Sequence, residues 1–131
     1  MDDVLVKDIL LKAAEDVQSG MWCQGAWFSS RRDPQYCSAE EELSSDAAFE
    51  LGADAVKGKY RCAEGSIQLA TVLLGGTRED YGSALHHVNV TLRERTSYNL
   101  LEAFNDCALP ADPFDAGQQL AELFRSTAEA L

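Results

Sequence analysis

The chain has 131 residues, 46% of them hydrophobic and 25% charged, and its 22 acidic and 11 basic residues give a net charge of −11. Residues 1–131 therefore fit a single folded domain rather than a disordered chain. The charge disfavours direct binding to nucleic acid or to a membrane surface, and it makes a basic protein the complementary partner. No apolar run has the roughly 18 residues of a membrane span, and the acidic start lacks the basic residues of a secretory signal, so we expect a cytoplasmic protein.

The first part of the chain shows helical periodicity. Apolar residues recur at helical spacing over residues 4–19, between a capping Asp3 and Gly20, and predict an amphipathic helix. The aromatic segment 21–28 is predicted to be irregular or shortly extended and packed into the core. Residues 38–56 are compatible with a helix that has weak points at Ser44-Ser45 and Gly52.

The second half is also predicted to be helical. Residues 62–74 are apolar on several sides and predict a buried central helix that ends at Gly75-Gly76. A cap at Thr77 predicts the next helix, although the alternation of residues 88–92 leaves a strand open there. A short helix is predicted from Ser97 to Phe104, stopping near Asn105-Asp106.

Asp112-Pro113 marks the start of a last helix. Its predicted inward face is Phe114, Gly117, Leu120, Ala121, Phe124, Ala128 and Leu131. The expected fold is therefore all-α, a compact single-domain helical bundle. The central helix is buried, the first and last helices pack around it, and at most a minor strand pair lies near Phe28 or Val90.

An acidic segment, residues 33–59, lies within this domain and holds seven acidic residues before its first lysine. If residues 42–54 form one continuous helix, four carboxylates fall at successive i, i+4 positions: Glu42, Asp46, Glu50 and Asp54. Like charges at this spacing destabilise the free helix, so a basic partner, such as a DNA-binding host protein, would relieve the repulsion. The alternative is a solvated acidic face that only keeps the protein soluble.

Metal and cysteine chemistry have weak support. The four cysteines lack the paired spacing of a zinc site, and adjacent His86 and His87 point about 100° apart on a helix, so we expect free thiols, no metal and no cofactor. Cys62 is the best nucleophile candidate, because a helix N-terminus lowers a thiol pKa and His86 or His87 would serve as base. The alternative is a small buried thiol, and no catalytic residue is assigned.

Two tryptophans suggest a different site. Trp22 and Trp27 are candidates for the wall of a ligand pocket, with Asn105 and Asp106 as its polar contacts. The alternative is that the aromatic rings anchor the core and that Asn105-Asp106 satisfies backbone groups at a helix end.

Three short pieces together resemble a family of small uncharacterised proteins from actinobacteria and their phages. They are Trp22-Cys23-Gln24-Gly25-Ala26, the segment from Arg61 to Ile67, and Phe104-Asn105-Asp106. The family pattern has Trp where this chain has Arg61 and Phe104, and the acidic segment is longer here. The resemblance implies a compact helical fold and supplies no activity.

The sequence is compatible with two functions. The first is a non-enzymatic cytosolic interaction protein that binds a basic partner through the acidic face. A phage origin of the protein is one form of this hypothesis. The alternative is a small-ligand-binding protein or small enzyme that uses Trp22, Trp27, Asn105 and Asp106.

Overall fold

The computed structural model describes residues 3–30, 42–43 and 45–131. Within these residues lie seven helices: α1 (Asp3–Val17), α2 (Ala47–Leu51), α3 (Ala53–Val56), α4 (Ala63–Leu73), α5 (Arg78–Arg95), α6 (Leu101–Cys107) and α7 (Pro113–Glu129). Three strands of two residues each complete the described elements: β1 (Phe28–Ser29), β2 (Glu42–Leu43) and β3 (Tyr60–Arg61). The all-α prediction is confirmed, and the helical alternative is the correct one for residues 88–92.

The small sheet differs in size from the expected strand pair. Its order is β2-β1-β3, and β1 pairs antiparallel with both neighbours. Phe28 lies opposite Leu43 on one side and opposite Arg61 on the other. The sheet thereby holds the chain before the acidic segment against the chain after it.

The main core lies between α1, α4, α5 and α7. Their buried apolar side chains form one cluster, and α4 is buried along its length from Ala63 to Ala70, which confirms the predicted central helix. Gly117 permits a close approach of α7 to the end of α1, because an added Cβ there would overlap the carbonyl oxygen of Val17. A second, smaller cluster around Phe28, Ala48 and Leu69 packs α2 and α3 against α4.

Several helix ends follow the sequence signals. Thr77 and Asp80 form a reciprocal capping box at the start of α5, and Asp112 accepts a hydrogen bond from the Phe114 backbone N–H at 2.8 Å. Gly20 and Gly75 adopt positive φ angles of 88° and 75° just after α1 and α4. These positions favour glycine, because a Cβ is strained there.

Two predictions for the C-terminal half were wrong. The short helix starts at Leu101 rather than at Ser97, because Asn89 Oδ1 accepts a hydrogen bond from the Leu101 backbone N–H at 2.8 Å, and it continues through Asn105-Asp106 to Cys107. Phe114 is 64% exposed although it was assigned to the inward face of α7. It lies in the first turn of that helix, outside its buried stripe.

The acidic segment does not form one helix. Glu42 lies in β2, and Gly52, with φ 89° and ψ 162°, separates α2 from α3. Asp46 pairs with Arg78 at 3.5 Å and Asp54 with Lys57 at 2.9 Å. The i, i+4 carboxylate ladder is therefore absent from the described residues, because the backbone turns at Gly52. Residues 33–41 lie outside the described part of the chain.

A buried ion pair joins α1 to β3. The guanidinium of Arg61 donates to the two carboxylate oxygens of Asp16 at 2.8 and 2.7 Å, and Arg61 is only 4% exposed. Its Nη1 donates to the carbonyl oxygens of Lys57 and Lys59 at 3.1 and 2.6 Å. This set of bonds compensates for the removal of both charges from water.

Three of the four cysteines lie in the part of the chain that the structure describes. Cys62 and Cys107 are free thiols, Cys23 is buried, and Cys37 lies outside the described residues. Among the helices described, none combines the length and the apolar character needed to cross a membrane.

Candidate functional site

Asn105, in α6, is the polar centre of the molecule. Its side chain, 1% exposed, accepts from Trp22 Nε1 at 2.7 Å and from the Ala63 backbone N–H at 2.9 Å. Its amide nitrogen donates to the Cys23 carbonyl oxygen at 3.2 Å and to Asp106 Oδ1 at 3.0 Å. All four hydrogen-bonding positions of the amide are therefore used within the protein. One side chain fixes three segments that are far apart in sequence.

The loop after Trp22 adds further bonds to α6. Gln24 Nε2 donates to the carbonyl oxygens of Asn105 at 2.9 Å and of Asp106 at 3.2 Å. The Gly25 backbone N–H donates to Asp106 Oδ1 at 3.0 Å, and Gly25 has a positive φ of 83°. These bonds satisfy carbonyl groups near the end of α6 and fix the loop beside it.

The start of α4 packs directly on the next part of the same loop. The Cys62 backbone N–H donates to the Trp27 carbonyl oxygen at 3.3 Å. A Cβ at Gly65 would lie 2.5 Å from that oxygen, closer than real side chains approach. Glycine is therefore required at position 65 for the helix to meet the loop.

A cavity of about 60 Å³ lies where the loop, the start of α4 and α6 meet. The residues that line it include Trp27, Cys62, Glu64, Glu102, Asn105 and Asp106. Glu102 and Asp106 are exposed, whereas Glu64 and Asn105 are buried. The carboxyls of Glu102 and Asp106 therefore lie on the solvent side of the site and that of Glu64 on its inner side.

Glu64 is the unusual acid of this cavity. It is 6% exposed, and burial, followed by the nearby charges of Glu102 and Asp106, raises its pKa to about 7. A hydrogen bond with the Glu102 backbone acts in the opposite direction but is weaker. The carboxyl thus exchanges its proton near neutral pH, which is a property common in functional sites.

Cys62 does not have the properties of an activated nucleophile. Its Sγ accepts the Gly65 backbone N–H at 3.4 Å and caps α4, yet burial raises the pKa of the thiol far above its usual value. The expectation that the helix N-terminus would lower this pKa was wrong, because desolvation is the larger effect. His86 and His87 contact each other on α5, and neither is among the described residues that line the cavity.

The structure brings the second set of predicted site residues together. Trp27, Asn105 and Asp106 line the cavity, and Trp22 lies behind it as a hydrogen-bond donor to Asn105. The acidic set Glu42, Asp46, Glu50 and Asp54 is absent from this lining. Among the described residues, no group of three or more His, Cys, Asp or Glu side chains could hold a metal ion.

Glu64 and Glu102 were missed by sequence reasoning. Glu64 lies within the Cys62-Ala63-Glu64-Gly65 piece, between residues that cap and pack the helix start. Its position as the second residue of an almost wholly buried helix was the available signal, because a glutamate is almost never fully buried unless it is paired. Nothing in the sequence singled out Glu102.

Comparison with known proteins gives one match. No curated protein and no solved structure matches the chain. The sequence model of a "Family of unknown function (DUF6197)" matches residues 1–130, which is nearly the whole chain. The protein therefore belongs to this family of unknown function, DUF6197.

Proposed function

We propose that the protein binds a small ligand in the cavity between the 25–27 loop, α4 and α6. The observation that carries this proposal is the Glu64 carboxyl, buried at the cavity wall with a pKa near 7. A buried ionisable group opposes folding unless it is compensated, so its presence beside a cavity favours a role in binding. This is the ligand-binding alternative of the sequence analysis.

The surrounding bonds support a preformed site. Asn105 holds the loop, the start of α4 and α6 together, and its own amide has no free position for a ligand. Glu64, Glu102 and Asp106 supply acceptor oxygens, and Trp27 supplies an apolar surface. A rigid frame with a few polar groups lowers the entropic cost of binding.

Binding has more support than covalent catalysis. A thiol whose pKa is raised stays protonated and is a poor nucleophile, so Cys62 fits a structural cap better than a reacting group. The carboxyl of Glu64 is capable of general acid–base chemistry at neutral pH, and that chemistry would take place on a ligand held in the same cavity.

The test is a fragment screen by amide NMR with a matched pair of variants. Ala26→Phe fills the cavity, which Ala26 lines, whereas Ala103→Phe adds the same ring at an exposed position of α6. Fragments that shift the amides of Gly25, Ala63 and Glu64 should lose this effect in Ala26→Phe and keep it in Ala103→Phe. Unchanged shifts in Ala26→Phe, or no fragment that shifts these amides, would refute the proposal.

Binding of a basic protein is the second candidate. It is supported by the net charge of −11 and by the Asp54 side chain, which is 94% exposed. We also infer an actinobacterial or phage origin, on the strength of the three resembling pieces, for a protein that acts in the cytoplasm. Because the described residues do not form the carboxylate ladder, the binding of a basic protein has less geometric support than the binding of a ligand in the cavity.

A further inference from the structure

The charged residues that line the cavity are all acidic. Of the six residues named in its lining, three are acidic, Glu64, Glu102 and Asp106, and no lysine or arginine is among the described residues that line it. Walls of low dielectric strengthen the field of such charges inside a cleft. The electrostatics of the site therefore favour a cationic ligand over an anionic one.

The buried carboxyl is the second observation. Ion pairs of the described residues link Lys57 to Asp54, Arg61 to Asp16 and Arg78 to Asp46, and none reaches Glu64. The Glu64 carboxyl has a hydrogen bond with the Glu102 backbone, and its charge also acts on the Cys62 thiol and the Tyr81 hydroxyl. Among the described residues, Glu64 is thus a buried acid without a cation beside it.

Asp16 is another carboxylate that is partly removed from water, and its surroundings differ from those of Glu64. Its side chain is 19% exposed, and both of its carboxylate oxygens accept hydrogen bonds from Arg61. The described part of the chain therefore supplies a counter-charge to the partly buried Asp16 and supplies none to Glu64, which is buried more deeply. An unpaired buried carboxylate is unfavourable, and a cation from outside would remove that cost.

Trp27 and the size of the cavity restrict the class of cation. Trp27 is half-buried, and an indole ring attracts organic cations across its face. A volume of about 60 Å³ suits a compact group rather than a large ligand. The described residues form no metal-ligand group, which favours an organic cation over a metal ion.

We infer that the ligand is a compact organic cation, of the primary ammonium class, bound between the Glu64 carboxyl and the Trp27 ring. This inference rests on the proposed function and names the ligand class of that site. The ammonium group donates hydrogen bonds to Glu64, and Asp106 and Glu102 attract the ligand at the cavity entrance. The short alkyl part contacts Trp27.

The test compares n-propylammonium with 1-propanol, which has the same number of heavy atoms and no charge. Both are titrated at about pH 8, where Glu64 is ionised, at constant ionic strength, and the Glu64 and Trp27 amide shifts are followed by NMR. We expect n-propylammonium to bind at least about tenfold more tightly, as a charge-assisted hydrogen bond predicts. Glu64→Gln should reduce this preference several-fold, to the part that Glu102 and Asp106 supply, and Glu122→Gln, an equal charge change at an exposed site on α7, should keep it in full.

Each result has a definite meaning. Equal binding of 1-propanol, or a preference that is unchanged in Glu64→Gln, would overturn the inference. Binding of calcium ions in place of n-propylammonium would overturn it as well. If fragments bind in the cavity but n-propylammonium has no advantage, the ligand-binding function stands and the cation class is wrong. If no compound shifts the cavity amides, the proposed function itself fails. Far-UV circular dichroism establishes that each variant is folded.

Discussion

Trp22 Nε1 donates a buried hydrogen bond of 2.7 Å to Asn105 Oδ1, across 83 residues of sequence. The same oxygen accepts the backbone N–H of Ala63 at 2.9 Å, at the start of the central helix. The indole, the helix and α6 therefore depend on one amide side chain for their relative positions. The bond explains why an asparagine is buried at a place where an apolar residue would otherwise be expected.

Replacement of this amide should cost much of the stability of the fold. Asn105→Ala leaves two buried N–H groups, those of Trp22 and Ala63, without an acceptor, and each such loss costs about 1–3 kcal/mol. We expect the free energy of unfolding to fall by about 3 kcal/mol in urea denaturation. Asn99→Ala, at an exposed position, should stay within about 0.5 kcal/mol of the wild type. Equal effects of the two substitutions would contradict the role of Asn105.

Gly65 should tolerate no side chain. Gly65→Ala places a Cβ 2.5 Å from the Trp27 carbonyl oxygen and 3.1 Å from Arg61 Cβ, and we expect a loss of about 2 kcal/mol or more in the free energy of unfolding. Gly82→Ala is the matched control, because that glycine lies in α5 with open space around it. It should stabilise the protein by about 0.5–1 kcal/mol through helix propensity. A stable Gly65→Ala protein would show that α4 is not held against the loop.

Glu64 should make the stability depend on pH. Burial and the charges of Glu102 and Asp106 raise its pKa from 4.5 to about 7 in the folded protein, so the folded state binds more protons than the unfolded state between these values. Its contribution to stability is therefore present below about pH 4.5 and lost as pH rises through 7. Ionisation costs on the order of 3 kcal/mol, from about 1.4 kcal/mol per pKa unit.

Glu64→Gln removes this titration and provides the measurement. The variant should be more stable than the wild type at about pH 8, and the difference should shrink towards pH 5. Urea denaturation at the two pH values gives the comparison, and Glu122→Gln controls for the change in net charge. A difference between Glu64→Gln and wild type that is the same at both pH values would contradict a raised pKa in the folded state.

Charge reversal tests the second candidate function. Replacing Glu42, Asp46, Glu50 and Asp54 with lysine should abolish capture of a basic partner from host lysate, and capture by the wild type should weaken as salt screens the charges. Reversal relieves no repulsion within a helix, because the four residues do not share one, and it breaks the pairs with Arg78 and Lys57. We therefore expect a small loss of stability. Recovery of the same proteins by both versions would remove the support for an acidic interaction face.

Local signals predicted most of the helices. Asp3, Thr77 and Asp112 stand at or just before helix starts, and Gly20 and Gly75 follow helix ends, because capping and positive φ angles depend on a few neighbouring residues. The start of α6 was misplaced because its first N–H is satisfied by Asn89, twelve residues away in sequence. A tertiary bond of this kind leaves no local pattern.

The cavity was predictable only in part. Trp27, Asn105 and Asp106 were chosen as aromatic and polar residues, and they meet as that hypothesis requires. Glu64 was overlooked because its significance comes from burial next to Glu102 and Asp106, which lie about forty residues further along the chain. The acidic ladder failed for the opposite reason, because a regular spacing was read without the break at Gly52.

The pair between Arg61 and Asp16 has a consequence for sequence variation. A tryptophan in place of Arg61 would leave Asp16 without its guanidinium partner. Each change alone would strand a charge between α1 and β3, so the two positions are expected to covary. Relatives with an aromatic residue at the first position should have an uncharged one at the second, which makes this pair a marker of separate branches within the family.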